Sequence, residues 1–189
     1  MTGPQRALCI ALFALGLSSC AAEVRSIPDN YAMGARDESV VIGRAIIDLT
    51  GGGTQPIAFF DHLDAIQIEV ENAATGESYW MVCDQTGSDS SFFVALPSGS
   101  YGITGVRKGQ MEGSPTGHFS VGAGQVVYIG TLKFAGSGIG ASIAASVLGN
   151  RPTMPGDWLV EDEYAIMAKS FQEKFPQLGH DVVKSLVQQ

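Results

Sequence analysis

The chain has 189 residues, with 19 acidic against 11 basic side chains, a formal net charge of −8 and a hydrophobic content of 45%. That balance argues against nucleic acid as a partner and against charge-driven adhesion to anionic lipid, while the length suits one domain with a core of its own. Only three cysteines are present, at 9, 20 and 83, and the core must hold the fold without a disulfide framework.

The chain opens with Arg6, an apolar run from Ala7 to Leu17, and then Leu17-Ser18-Ser19-Cys20. A basic start, a short apolar core and small residues before a cleavage point make a secretory signal, too short to stay in a bilayer as a mature helix. Residues 1–19 are therefore set apart from the fold. The four residues at the end of this segment resemble the bacterial lipobox, which implies cleavage between Ser19 and Cys20 and acylation of Cys20. More than one acyl chain, at about 0.8 kcal/mol per buried methylene, suffices for stable membrane attachment. Ala21 in place of Asp after the cysteine implies, by the same resemblance, the outer membrane, with the body facing the periplasm. The other reading is an ordinary signal that leaves Cys20 a free thiol. Loss of Arg6 with no acid makes the mature chain one unit more negative, −9. Cys9 leaves with the signal, and Cys83 is then a partnerless thiol that reads as a small buried apolar group.

Residues 20–37 contain Pro28, Asp29 and Asn30 without apolar periodicity and read as a tether. Glu38 to Leu49 is the first strand, with Val41, Ala45, Ile47 and Leu49 on one face, Arg44 and Asp48 on the other, and Gly43 as a candidate bulge. The irregular stretch from Pro56 to Asp64 follows. Ala65 to Glu71 alternates cleanly, Ile66, Ile68 and Val70 against Gln67, Glu69 and Glu71, and a turn over Asn72 to Gly76 returns the chain as Ser78 to Cys83, apolar on both faces. Phe92 to Leu96 and Tyr101 to Val106 flank Leu96-Pro97-Ser98-Gly99, which predicts a tight turn and a hairpin. His118 to Val121, a turn at Gly122-Ala123-Gly124, and Gln125 to Phe134 complete the series. Strand signals at short spacing without helices between them predict a mainly β protein, an antiparallel β-sandwich of about seven or eight strands over residues 38–135.

Residues 136–160 form a small-residue excursion with a further strand over Asp157 to Val160, and residues 161–189 a C-terminal helical segment. Glu161, Asp162 and Glu163 lie at the positive end of a helix over Glu161 to Phe175, Lys169 and Lys174 towards its negative end, and Pro176 stops it. Its stripe of Tyr164, Met167, Ala168, Phe171 and Phe175 predicts docking on the sandwich. His180 to Val187 reads as a second short helix.

The run Phe93-Val-Ala-Leu-Pro-Ser-Gly-Ser-Tyr-Gly-Ile103 resembles the prealbumin-like, or carboxypeptidase-regulatory-like, sandwich domains. In these, an apolar strand, a Pro-x-Gly turn and a Tyr-x-aliphatic strand recur. Phe119-Ser-Val-Gly-Ala-Gly-Gln-Val-Val-Tyr-Ile-Gly130 is similar to the closing hairpin of uncharacterised bacterial lipoproteins built on that sandwich. The resemblance covers most of Glu38 to Phe134 and implies a fold without catalytic residues.

Asp61-His62-Leu63-Asp64 gathers two carboxylates and an imidazole, types that ligate divalent metals, but no second His or Cys cluster supports it, and a solvated acidic loop is the default. No GxSxG is present; Gly136-Ser137-Gly138-Ile139-Gly140 has the wrong spacing for a nucleophile and lacks the Lys-Ser/Thr of a phosphate loop. No catalytic residue, metal or cofactor is assigned. Phe59, Phe60 and Trp80, with Tyr79, are the candidate ligand-binding aromatics. The competing reading puts one of Tyr79 and Trp80 in the core and the other on an outer face under the C-terminal helix. The functional expectation is a lipid-anchored periplasmic domain that binds an envelope protein or glycan without chemistry of its own. A carbohydrate- or peptidoglycan-binding module is the alternative, and a metal-dependent or hydrolytic enzyme stands third.

Overall fold

The protein's structure, a computed structural model, describes residues 21–33, 37–48, 64–86, 89–109, 111–135, 157–179 and 181–189. The expected signal, residues 49–63 and the small-residue run from 136 to 156 lie outside the described residues. In chain order the elements are β1 (Ala22–Val24), β2 (Glu38–Asp48), β3 (Ala65–Asn72), β4 (Ser78–Thr86), β5 (Asp89–Pro97), β6 (Gly99–Lys108), β7 (Met111–Gly113), β8 (Gly117–Val121), β9 (Val126–Ala135), β10 (Trp158–Glu161), helix α1 (Tyr164–Lys174) and β11 (Val182–Lys184).

The chain is mainly β, in two sheets. Sheet I runs β1-β4-β3-β6, with β7 and β8 both on the far side of β6; sheet II runs β10-β9-β2-β5, with β11 beside β10 on β9. The expected antiparallel sandwich of seven or eight strands is corrected on two counts. Eleven strands lie among the described residues, and both sheets are mixed, because β1 runs parallel to β4, and β2 and β11 run parallel to β9. Alternation of apolar and polar side chains reports which face is buried and carries no information about the direction of the neighbouring strand.

Alternation does place the core. Val41, Ala45 and Ile47 of β2, Ile66, Ile68 and Val70 of β3, and Ile129, Leu132 and Phe134 of β9 point between the sheets. Val40, Ile42 and Phe93 point out of sheet II, and there α1 buries Met167 and Phe171, and its C-cap residue Phe175, against them. Sheet II is thus apolar on both sides, which explains why every residue from Val126 to Leu132 is buried. Opposite Gly43 the β2–β9 register shifts, as expected of a bulge. A Cβ on Gly43 would stand 2.4 Å from the Phe92 ring and 2.8 Å from the Gly130 carbonyl oxygen, and Gly130 itself has φ of 117°, so two glycines let the strands close at this point.

Three connections differ from expectation. The turn at Leu96-Pro97-Ser98-Gly99 joins no hairpin: β5 pairs with β2 in sheet II, and β6 pairs with β3, β7 and β8 in sheet I. The chain steps from one sheet to the other here, and the step is held by the Tyr101 hydroxyl, which donates to the Pro97 carbonyl oxygen at 2.7 Å. The turn at Gly122-Ala123-Gly124 likewise carries β8 in sheet I to β9 in sheet II. Near-continuous apolar strands signal burial on both sides, which a crossing satisfies as well as a hairpin does. The C-terminal stretch, expected as a helix, forms strand β11 with Val182 opposite Val126, because the exposed edge of β9 offers unpaired backbone groups to the two valines.

The two terminal segments close the two open sides of the body. At one side β1 lies along β4 of sheet I, Ser26 bridges Val94 of sheet II, and the Ile27 amide donates to the Phe93 carbonyl oxygen at 2.8 Å. Ile27 is buried, and the Gln177 side chain donates to the Asp29 carbonyl oxygen at 2.6 Å. The segment expected to act as a tether is therefore laid along the body. At the other side, Ser185 and Val187 donate to Tyr128 and Ile129 of sheet II while Gln188 exchanges two backbone bonds with His118 of sheet I. Each strap satisfies edge groups that would otherwise template aggregation.

Candidate functional site

The outward face of sheet I is where a sequence-chosen residue meets partners suited to recognition. Because β3 buries Ile66, Ile68 and Val70, it turns Gln67, Glu69 and Glu71 outward; because β4 buries Met81 and Cys83, it turns Trp80 outward. Register then puts Glu69 opposite both Trp80 of β4 and Gly105 of β6. A Cβ at Gly105 would come within 2.9 Å of the Glu69 carboxylate and 3.4 Å of the Trp80 ring, so the missing side chain is the room in which the indole lies across the sheet.

Over that indole sits Arg107. Its guanidinium carbon is 4.1 Å from the Trp80 ring centroid, a cation–π contact worth roughly 0.5–1 kcal/mol on a partly exposed surface. The Arg107 Nε donates to the Gln67 side-chain oxygen, and a terminal nitrogen lies 3.6 Å from the Glu23 carboxylate of β1. Glu23 in turn holds Arg25 at 3.1 Å. The arrangement is a half-buried aromatic under a planar cation, ringed by carboxylates. It can bind through stacking, bidentate donation and apolar contact.

Of the other sequence-chosen residues, Ser19, Cys20, Phe59, Phe60, the run from Asp61 to Leu63, and Gly136 to Ala141 lie outside the described residues. Asp64 is exposed, and its backbone carbonyl accepts the buried Lys108 amine at 2.9 Å. His118 is exposed, with its ring 3.1 Å from the Gln188 side chain. Among the described residues, no three His, Cys, Asp or Glu side chains are grouped to hold a metal ion. Cys83 is buried, and burial, with the Asp84 charge adding to it, pushes its thiol far above the ordinary range, which makes it a poor nucleophile.

Tyr79 and Trp80 divide as the competing reading expected, but with one change. Tyr79 packs edge-on against the buried Tyr101 with ring centroids 6.3 Å apart, and burial, then the Glu77 carboxylate that accepts its hydroxyl at 3.0 Å, push its hydroxyl up to about 12. Trp80 takes an outer face, yet not beneath the helix: α1 lays its apolar stripe on sheet II, against Phe93, Ile42 and Tyr128.

Arg107 lies one residue past the strand expected over Tyr101 to Val106 and is not among the sequence-chosen residues. Alternation could not have found it: Tyr101 and Ile103 face inward and Arg107 shares their parity, and only the register shift against β3, where Val70 faces Ile103 but Glu69 faces Gly105, brings Val106 inward and turns Arg107 outward. Sequence reasoning also missed a clamp at the start of α1. There the Glu163 carboxylate accepts the Thr131 hydroxyl at 2.7 Å and Arg44 at 2.9 Å, bonds that hold it below the usual carboxylate range. The Glu163 amide donates to the Tyr128 hydroxyl at 2.7 Å, and Lys133 meets Glu161 at 2.6 Å. Every group in this clamp has a partner, so it fixes the helix to the sheet.

No family model matches the chain, and no curated protein matches it. Among solved structures it is similar to a leucine-rich repeat protein from Bacteroides thetaiotaomicron, at 13% identity and a TM-score of 0.37, over 61% of this chain. The chain covers 16% of that protein's length, and at that TM-score the likeness carries no argument about fold or function.

Proposed function

We propose that this chain is a bacterial lipoprotein with a prealbumin-like sandwich body. It is acylated at Cys20, held at the outer membrane on the periplasmic side, and binds another envelope component, an envelope protein first, without chemistry of its own. The observation that carries the binding reading is the contrast between the two outer faces: sheet II is covered by α1, whereas sheet I displays the Trp80–Arg107 stack among Gln67, Glu69 and Glu23. Trp and Arg are the residue types that concentrate binding energy at protein interfaces. The lipobox-like Leu17-Ser18-Ser19-Cys20 supports the envelope and membrane parts of the reading.

The test is in-cell crosslinking followed by mass spectrometry with the wild type, Cys20→Ser, and the Trp80→Ala Arg107→Ala double variant. The expected result is that Cys20→Ser leaves the membrane fraction and that the double variant stays there but loses its crosslinked neighbour. An unchanged set of neighbours in the double variant would remove sheet I from the reading, and a Cys20→Ser chain that is still processed and still partitions with membranes would remove the anchor. Glycan or peptidoglycan recognition, the second reading, rests on the exposed part of the same indole. Peptidoglycan fragments would then change Trp80 emission in a Trp158→Phe background.

A further inference from the structure

The straps and strand registers fix which way the body would stand on a membrane. Ala21, the first described residue, is peptide-bonded to Cys20, and two residues span at most about 7 Å, so an acyl group on Cys20 would lie within that reach of Ala22 in β1. Had the seventeen residues from Ala21 to Asp37 been a free coil, the body could wander by about 20–25 Å from its attachment point. Instead β1 is hydrogen-bonded to β4, Ile27 is buried between Phe93 and α1, and the Tyr31 hydroxyl donates to Glu38 at 2.6 Å.

Register then locates β1 at one end of the sandwich. Ala22 is opposite Tyr79, at the start of β4 and beside the β3–β4 turn; Asn72 is opposite Tyr101, at the start of β6; Gly99 is opposite Val121, at the end of β8; and Glu38 is opposite Pro97. The β3–β4, β5–β6 and β8–β9 turns therefore share the end from which Cys20 departs. Backbone bonds tie this end together, Ser98 to Asp37, Gly124 to Glu38 and Ala73 to Ser100. Asp64, Asp157 and the end of β9 lie at the opposite end, since Ala65 is opposite Thr86 and Phe134 opposite Trp158. An eight-residue strand such as β3 separates the two ends by about 25 Å.

We infer that the acylated N-terminus holds the body flush on the bilayer, with the β3–β4, β5–β6 and β8–β9 turns facing the lipid surface and the Asp64 and Asp157 end facing away. This rests on the lipid-anchor reading above. The turns at the proximal end, Ala73 to Glu77, Pro97-Ser98 and Gly122 to Gln125, are short and carry no Lys or Arg. Contact there depends on the covalent lipid and not on charge, so the orientation is insensitive to salt. The sheet I face with Trp80 and Arg107 stands roughly perpendicular to the membrane, open to a partner that approaches from the side.

The experiment uses the full chain, processed and acylated in cells, then placed in phosphatidylcholine vesicles containing a headgroup-quencher lipid. Single cysteines carrying a fluorophore are introduced at the exposed Ala74 and Ala123 (Ala74→Cys, Ala123→Cys) and at the exposed Asp64 and Asp157 (Asp64→Cys, Asp157→Cys); Cys83 is buried and stays unlabelled. Quenching several-fold stronger at 74 and 123 than at 64 and 157 is expected, unchanged at high salt. A Gly-Ser linker inserted between Ala21 and Ala22 is expected to abolish the difference while vesicle flotation persists. Equal quenching at both ends in protein that floats overturns the orientation and leaves the anchor standing. Failure of the acylation-competent chain to float overturns the anchor reading and the orientation with it.

Discussion

Phe171 tests most directly whether α1 belongs to the folded body. Its ring is 1% exposed, stacked 6.4 Å from Phe93 of sheet II and tilted 5.5 Å from Phe175 at the helix C-cap. Phe171→Ala removes on the order of 150–200 Å² of buried apolar surface, about 4–5 kcal/mol by area, and with partial collapse of the site the expected loss is about 3–5 kcal/mol. A domain of this size has about 5–15 kcal/mol in total, so the urea midpoint falls by a large fraction. Ile166 on the same helix is 62% exposed, and Ile166→Ala, which also favours the helix, stays within about 0.5 kcal/mol of wild type. Equilibrium urea unfolding followed by circular dichroism and tryptophan emission reads both variants. If Phe171→Ala costs no more than Ile166→Ala, the helix is not docked and the two-sided burial of sheet II is refuted.

Tyr101→Phe removes the bond to the Pro97 carbonyl at the sheet crossing without changing ring packing, and costs about 1–2 kcal/mol by the same assay; a loss of a few tenths would show that the bond does not hold the turn. Glu163 is held below its ordinary range, chiefly by the Thr131 hydroxyl and then by Arg44. Its contribution is complete above the unfolded-state value and disappears as pH falls through the lower folded value. Glu163→Gln is therefore expected to cost about 1–2 kcal/mol at neutral pH and progressively less on acidification, and a pH-independent gap between the two unfolding curves would contradict this. Cys83 is expected to resist aromatic disulfide reagents in the native state and to react on unfolding in urea, whereas prompt native reaction would contradict its burial.

Short-range chemistry made much of this protein legible from its residues. The alternation of Ile66, Ile68 and Val70 named the core face of β3, and the spacing of Met167, Phe171 and Phe175 named the buried face of α1. The Gly43 bulge was visible because a bare Cα in an apolar strand marks a close approach. What could not be read was pairing. The Pro97-Ser98-Gly99 turn has the residues of a hairpin, yet its two strands belong to different sheets. Val182 and Val183 carry no mark that a free edge of β9 awaits them, and Ile27 carries none that α1 and Phe93 leave room for it.

The candidate site divides in the same way. Trp80 stood out by type alone, while Arg107, Gln67 and Glu23 join it from three strands separated by up to 84 positions. Residue order determined the central strands such as β2, β3 and β9 with their buried faces, and helix α1 with its stripe, because these depend on backbone periodicity and on neighbours a few residues apart. Tertiary structure alone decided the parallel pairings, the crossings between sheets, the strapped termini and the meeting of Trp80 with Arg107. Those depend on which edges remain unpaired and which surfaces remain uncovered once the rest of the chain has packed.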